Sequence, residues 1–188
     1  EIAQSFGQDE RGRILLEKVL AIQHENGDYS TFSSAATCVK LRRFDEAIDL
    51  FMQSGYHWYD KALKVAKEHA PKRVNDVARS GFRKYVPGFH TQETFVECAE
   101  VLGKTAKAKK ILTREARELD SDIQPPRFYQ GLVDSLLRIG CYDDAINVVE
   151  KVATSIYQSL RARKEDSSHL RFHDNRKELA RLFESVGE

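Results

Sequence analysis

From Ile14 onward the apolar side chains fall at Ile14, Leu15, Val19 and Ile22, around Lys18, with the three- and four-residue spacing of one helix face. Asn26-Gly27 ends that run. The same period returns along the chain. Ala35, Ala36, Val39 and Leu41 follow Ser30 and Ser33, either of which predicts a helix cap. Ala47, Ile48, Leu50 and Phe51 make a third stripe that stops at Gly55, and Trp58 to His69 carries Ala62, Leu63, Val65 and Ala66. Pro71 suits a first helical turn, so a helix is predicted from Lys72 to Val86, broken by Pro87-Gly88. Thr91 predicts a cap for Gln92 to Leu102, and another helix follows from about Thr105 to Leu119. Asp120-Ser121-Asp122 and Pro125-Pro126 mark a loop, then a helix with Phe128, Leu132, Val133, Leu136 and Leu137 on its buried face. Tyr142 to about Arg163 carries Ala145, Ile146, Val149, Val152, Ala153, Ile156 and Leu160. Lys164 to Ser168 reads as a polar connector, and the last helix buries Leu179, Leu182, Phe183 and Val186. Alternating β-branched runs do not occur. The expectation is an all-α chain of about ten helices with short links.

Three segments align without gaps: AATCVKLRRFDEAIDLF, FVECAEVLGKTAKAKKIL and LVDSLLRIGCYDDAINVV. Each sets a turn residue (Arg42, Gly103, Gly140) five positions before an alanine (Ala47, Ala108, Ala145), and a large apolar residue (Phe51, Leu112, Val149) four after it. Glycine permits a tight turn and alanine lets two helices approach closely. Phe44 and Tyr142, three before the alanine, are expected to plug the base of the hairpin; Thr105 takes that slot in the middle copy. These segments resemble tetratricopeptide-type helical hairpins, LLRIGCYDDAINVVEK most closely. Their spacing is uneven, with one further helix pair between the first and second copies. The leading aromatic slot holds Tyr129 but elsewhere Thr31 and Gln92, and the small-residue slot holds Ala35, Val96 and Val133. The resemblance implies an α-solenoid of antiparallel hairpins with irregular repeats. FDEAIDLFMQSGYHWYDKALKVAKEHAP is similar to helical parts of intraflagellar-transport and coat subunits.

Within that stretch Tyr56, His57, Trp58 and Tyr59 stand side by side. Tyr59 lies three before Ala62, as Phe44 does before Ala47, which predicts ring packing at a hairpin base after the Gly55 turn. The competing reading is a surface recognition spot, since Trp and Tyr favour interfaces.

Composition narrows the picture. At 188 residues, the chain is one region of solenoid, 1–188, divisible at Pro87-Gly88 into 1–87 and 88–188. Thirty basic residues against 29 acidic ones leave no strong global field for a polyanion. No apolar run is long enough to span a bilayer. The start at Glu1 rather than Met suggests a piece of something longer. Cys38, Cys98 and Cys141 are isolated, as buried thiols in a reducing, cytoplasmic compartment would be.

Candidate chemistry is sparse. His169 and His173 are one helical turn apart, with Asp174 or His24 available, but no cysteine pair or Glu-x-x-His repeat completes a metal site. No phosphate-cradling glycine loop or nucleophile elbow occurs. Neither a cofactor nor an enzymatic activity is expected. Lys104, Lys107, Lys109, Lys110, Arg114 and Arg117 load one helix, and Arg161, Arg163, Lys164, Arg171, Arg176, Lys177 and Arg181 cluster near the C-terminus, interleaved with Glu115, Glu118, Glu165, Asp166 and Glu178. Three classes remain open. They are a protein-interaction scaffold within a larger cytoplasmic transport or coat assembly, an RNA-binding helical repeat, and an accessory region of a multidomain ATPase or helicase. For the first, Glu93, Glu97 and Glu100 share a helix face, and Asp134 holds the inward-type position of the next hairpin. Together they outline an acidic groove for a Lys/Arg-rich peptide or helix.

Overall fold

The computed structural model describes residues 10–25, 31–87, 91–119, 127–162 and 170–187. They form ten α-helices and two short 3-10 turns, with no strand among the described residues. The chain divides into two compact units, Glu1–Tyr85 and Val86–Glu188.

Unit 1 holds α1 (Glu10–Glu25), α2 (Thr31–Lys40), α3 (Phe44–Gln53), α4 (Tyr59–His69) and α5 (Val74–Lys84). Each packs against the next, so the core passes from Leu20 of α1 to Cys38 of α2 and Ala47 of α3. The alanines expected at close crossings, Ala47 and Ala62, are fully buried. Gly55 opens a 3-10 turn at Tyr56–Trp58 before α4, and Pro71 opens another at Pro71–Arg73 before α5. Arg73 reaches from that turn to α3, donating to Asp45 at 3.0 Å and to Asp49. Those two carboxylates, one helical turn apart, raise its pKa further. The guanidinium thereby ties the start of α5 back across the hairpin.

Unit 2 holds α6 (Gln92–Val101), α7 (Thr105–Arg117), α8 (Arg127–Arg138), α9 (Tyr142–Ala162) and α10 (Leu170–Gly187). Here each helix packs on the next and on the next but one. That makes two layers, α6, α8 and α10 in one and α7 and α9 in the other, solenoid-like in construction. Phe95, Val96, Leu112, Leu136, Val148 and Leu182 are buried between them.

The three aligned turns share one backbone geometry. Arg42, Gly103 and Gly140 take φ of 59°, 64° and 70°. Their N–H groups donate to Val39, Glu100 and Leu137 carbonyls, and the following N–H groups (Arg43, Lys104, Cys141) donate to Cys38, Ala99 and Leu136 at 2.7–2.9 Å. This is the paired 5→2 and 6→1 bonding of a Schellman helix end. The alanines after the turns, Ala47, Ala108 and Ala145, are all fully buried, and Phe51, Leu112 and Val149 nearly or fully so.

Several local expectations are corrected. Phe44 is only half-buried, stacked on His69 at 4.2 Å, and Tyr142 is 63% exposed. A ring in that slot is covered only where a later helix lays a side chain across it, as His69 does. Ser33 lies inside α2, its carbonyl accepting from Thr37, and so caps nothing; Ser30 lies outside the described residues. Thr91 occupies the cap position of α6 without a side-chain cap bond, and its N–H instead donates to the side-chain oxygen of Gln92 at 3.1 Å. Phe183 is 48% exposed beside a buried Leu182. The Asp120–Pro126 loop and the Lys164–Ser168 connector lie outside the described residues, as does the side chain of Phe128.

Candidate functional site

Three of the four carboxylates singled out by sequence stand on α6, and the fourth stands on α8, which packs directly against it. The approach is close: a Cβ added at Gly131 of α8 would lie 3.5 Å from the Gln92 side-chain oxygen on α6. Buried Gln92 in turn donates to Glu115 of α7 at 2.9 Å, fixing α6 from behind. The outward rows are therefore held in register: Glu93, Glu97 and Glu100 on α6, and Gln130, Asp134 and Arg138 on α8.

The rows are not uniformly acidic. Glu93 is exposed and Glu97 half-buried. Asp134, half-buried, accepts from Gln130 at 2.8 Å, one turn earlier on its own helix. Glu100 is gripped by Arg138, whose Nε donates to Oε1 at 2.8 Å and whose Nη2 donates to Oε2. A planar guanidinium fork on a carboxylate is the strongest geometry such a pair can adopt. Sequence reasoning missed Arg138 as a member of this surface. The repeat alignment held the signal, since it sets Arg138 level with Val101, the residue after Glu100. Charge sign alone, without the α6–α8 packing, could not pair them.

The basic helix α7 is drawn into its own unit. Lys109 donates to the Gly140 carbonyl at 3.3 Å, Arg114 pairs with Glu118 at 2.8 Å, and Arg117 stands 3.7 Å from Asp144. Thr113 donates to Asp144 at 2.7 Å, so α7 and α9 are stitched by polar contacts. An open depression of about 480 Å³ lies along this helix, lined by Ala106, Lys109, Lys110, Thr113, Arg114 and Arg117 and, just past its end, Glu118.

In unit 1 the aromatic quartet separates into two roles. Tyr59 is wholly buried, with Tyr56 stacked on it at 5.4 Å and the Lys84 ammonium 5.6 Å from its ring centre. Trp58, half-buried, stacks on Phe32 of α2 at 4.0 Å, and His57 is exposed. The rings join neighbouring helices.

The three thiols are buried. Burial, with the Glu46 carboxylate adding to it and Arg43 opposing, pushes the Cys38 thiol from its ordinary 9.0 up to about 11, away from nucleophilic use. Among the described residues no group of three or more His, Cys, Asp or Glu side chains could hold a metal. His169 lies outside the described residues, as do the side chains of His24, His173 and Asp174. No helix among the described residues is long and apolar enough to cross a membrane.

No protein-family model matches the chain, and no curated protein matches it.

Proposed function

We propose that this chain is a protein-interaction scaffold, a tetratricopeptide-like helical segment of a larger cytoplasmic assembly of the transport or coat type. Its α6–α8 face takes a Lys/Arg-rich peptide or helix. One observation carries the reading: Arg138 already lays its guanidinium across Glu100 on that face, the contact an incoming basic side chain would make with Glu93, Glu97 or Asp134. The α7 cations support this over an RNA-binding role, since Lys109, Arg114 and Arg117 have partners within their own unit. Isolated charges on wet helices bind little; rows on two helices packed in register let several weak contacts act together.

The test uses a fluorescent Lys/Arg-rich peptide and the whole chain. Binding is expected at low salt, falling as ionic strength rises and screening shortens. Charge reversal of Glu93 and Glu97 together should weaken it with helicity unchanged. Equal affinity for the parent and the double variant at low salt overturns the assignment of this face.

A further inference from the structure

Helix α1 buries one side and leaves a second, strongly apolar side in solvent. Leu20 is 3% exposed and, with half-buried Leu16 and Gln23, faces α2, where Thr37 donates to the Gln23 side chain at 3.2 Å. The other side carries Ile14, Leu15, Val19 and Ile22, which are 47, 55, 41 and 57% exposed. Four half-bare aliphatic side chains on one helix amount to roughly 300 Å² of apolar surface, as large as the largest patch on many monomers. Charged residues lie within the stripe too: Arg11, Lys18 and Glu25 are all exposed. Arg11, Leu15, Lys18, Ile22 and Glu25 are spaced four, three, four and three apart, the seam spacing of two helices that wind along each other.

The exposed face as a whole has a two-fold character about Lys18. Ile14 and Ile22 stand four residues to either side of it, and Arg11 and Glu25 seven residues to either side. An identical helix laid antiparallel, crossing at Lys18, would set Ile14 on Ile22 twice and Arg11 on Glu25 twice. A parallel twin would instead set Arg11 on Arg11 and Glu25 on Glu25. Self-complementarity of this kind is what a closed, isologous pair requires.

We propose that the occupant of this face is α1 of a second copy of the chain, paired antiparallel about Lys18. The two Lys18 side chains meet near the axis and turn their ammonium groups outward along the seam, as long basic side chains do. Their repulsion, and an interface shorter than the ~1,600 Å² of a standard complex, make this a weak dimer in exchange with monomer.

Sedimentation equilibrium of the whole chain from about 1 to about 300 µM, the range that brackets micromolar association, tests it. A monomer–dimer equilibrium is expected. Ile22→Glu should abolish it, and Arg11→Glu should weaken it by about tenfold or more. Adding Glu25→Arg to Arg11→Glu should restore it, because the pair is re-formed with its signs exchanged. Lys18→Leu should tighten it by about tenfold, by replacing a charge at the axis with apolar surface. Circular dichroism reports whether each variant keeps its helices. Should Ile22→Glu lose helicity, the charge exchange at Arg11 and Glu25 decides the question. A chain monomeric throughout the range, a dimer indifferent to the charge exchange, or growth beyond dimer each overturns the proposal.

Discussion

The hydroxyl oxygens of Tyr59 and Ser80 lie 2.8 Å apart, bridging α4 and α5 at the point where the Tyr59 ring is wholly enclosed. Ring and hydroxyl do separable work. Tyr59→Ala should lower unfolding free energy by about 3–5 kcal/mol, the cost of removing a large aromatic from a core. Tyr59→Phe keeps the ring and should cost only about 1 kcal/mol, the net worth of one hydrogen bond. Urea unfolding of both variants checks the ratio. A small loss in Tyr59→Ala would place the ring outside the cooperative core.

Arg42, Gly103 and Gly140 give a test free of packing effects. Nothing lies within 4 Å of a Cβ added at Gly103 or Gly140, so any cost of alanine there is conformational. Gly140→Ala should destabilise by about 1 kcal/mol, the left-handed penalty for a residue with a side chain. Arg42 already bears that penalty at φ 59°, so Arg42→Gly should stabilise by a similar amount, about 1 kcal/mol. Opposite signs in thermal melts of the two variants are the expected result. A Gly140→Ala melt unchanged from the parent would contradict the shared turn geometry.

These turns also show how much of the fold was legible. The alignment found all three because a Schellman end constrains sequence locally: a residue tolerating positive φ, then an alanine five positions on. The buried alanines followed from the same local rule. Tyr142 and Phe44 were read alike because both precede such an alanine by three, yet one is covered by His69 and the other is mostly bare. Cover from a helix outside the hairpin is not encoded in the hairpin itself. The apolar period of α1 predicted a helix correctly, but not which of its two apolar sides, Leu20 or the Ile14–Ile22 stripe, meets α2. The candidate face behaved similarly. Helical period placed Glu93, Glu97 and Glu100 on one side of α6, whereas the Glu100–Arg138 pair depends on the register between α6 and α8.

Cys38 should make stability fall at alkaline pH. Its folded-state pKa is raised from 9.0 to about 11, so the folded protein keeps this proton where the unfolded chain has lost it. Stability from this group is complete below pH 9 and is lost as pH rises from 9 toward about 11. The loss is of the order of 2 kcal/mol for such a difference between states. The comparison is with Cys38→Ala, which isolates the thiol. The parent should lose more stability than that variant between about pH 8 and about pH 11 in denaturant titrations. Equal slopes would mean that the thiol ionises in the folded protein as readily as in the unfolded chain.

Arg138 supplies the sharpest test of the α6–α8 face, because the proposed function and a ligand-contacting role for its guanidinium demand opposite results. The pair with Glu100 is partly exposed, its side chains 45 and 38% accessible, so its loss should cost no more than about 1 kcal/mol of stability. If the face takes basic side chains, Arg138 competes for Glu100, and Arg138→Ala should tighten binding of a Lys/Arg-rich peptide by about two- to fivefold at low salt. Glu100→Gln alone should change peptide affinity little, since that carboxylate is already engaged. In the Arg138→Ala background the same substitution should erase the gain, so the two changes are coupled. The ionic-strength dependence should steepen in Arg138→Ala, where one more carboxylate faces the ligand. Peptide binding weakened by Arg138→Ala, with helicity and melting point nearly unchanged, would instead make the guanidinium a contact for the ligand. The face would then select a carboxylate-bearing partner, and the Glu93–Glu97 row would be a solvated edge.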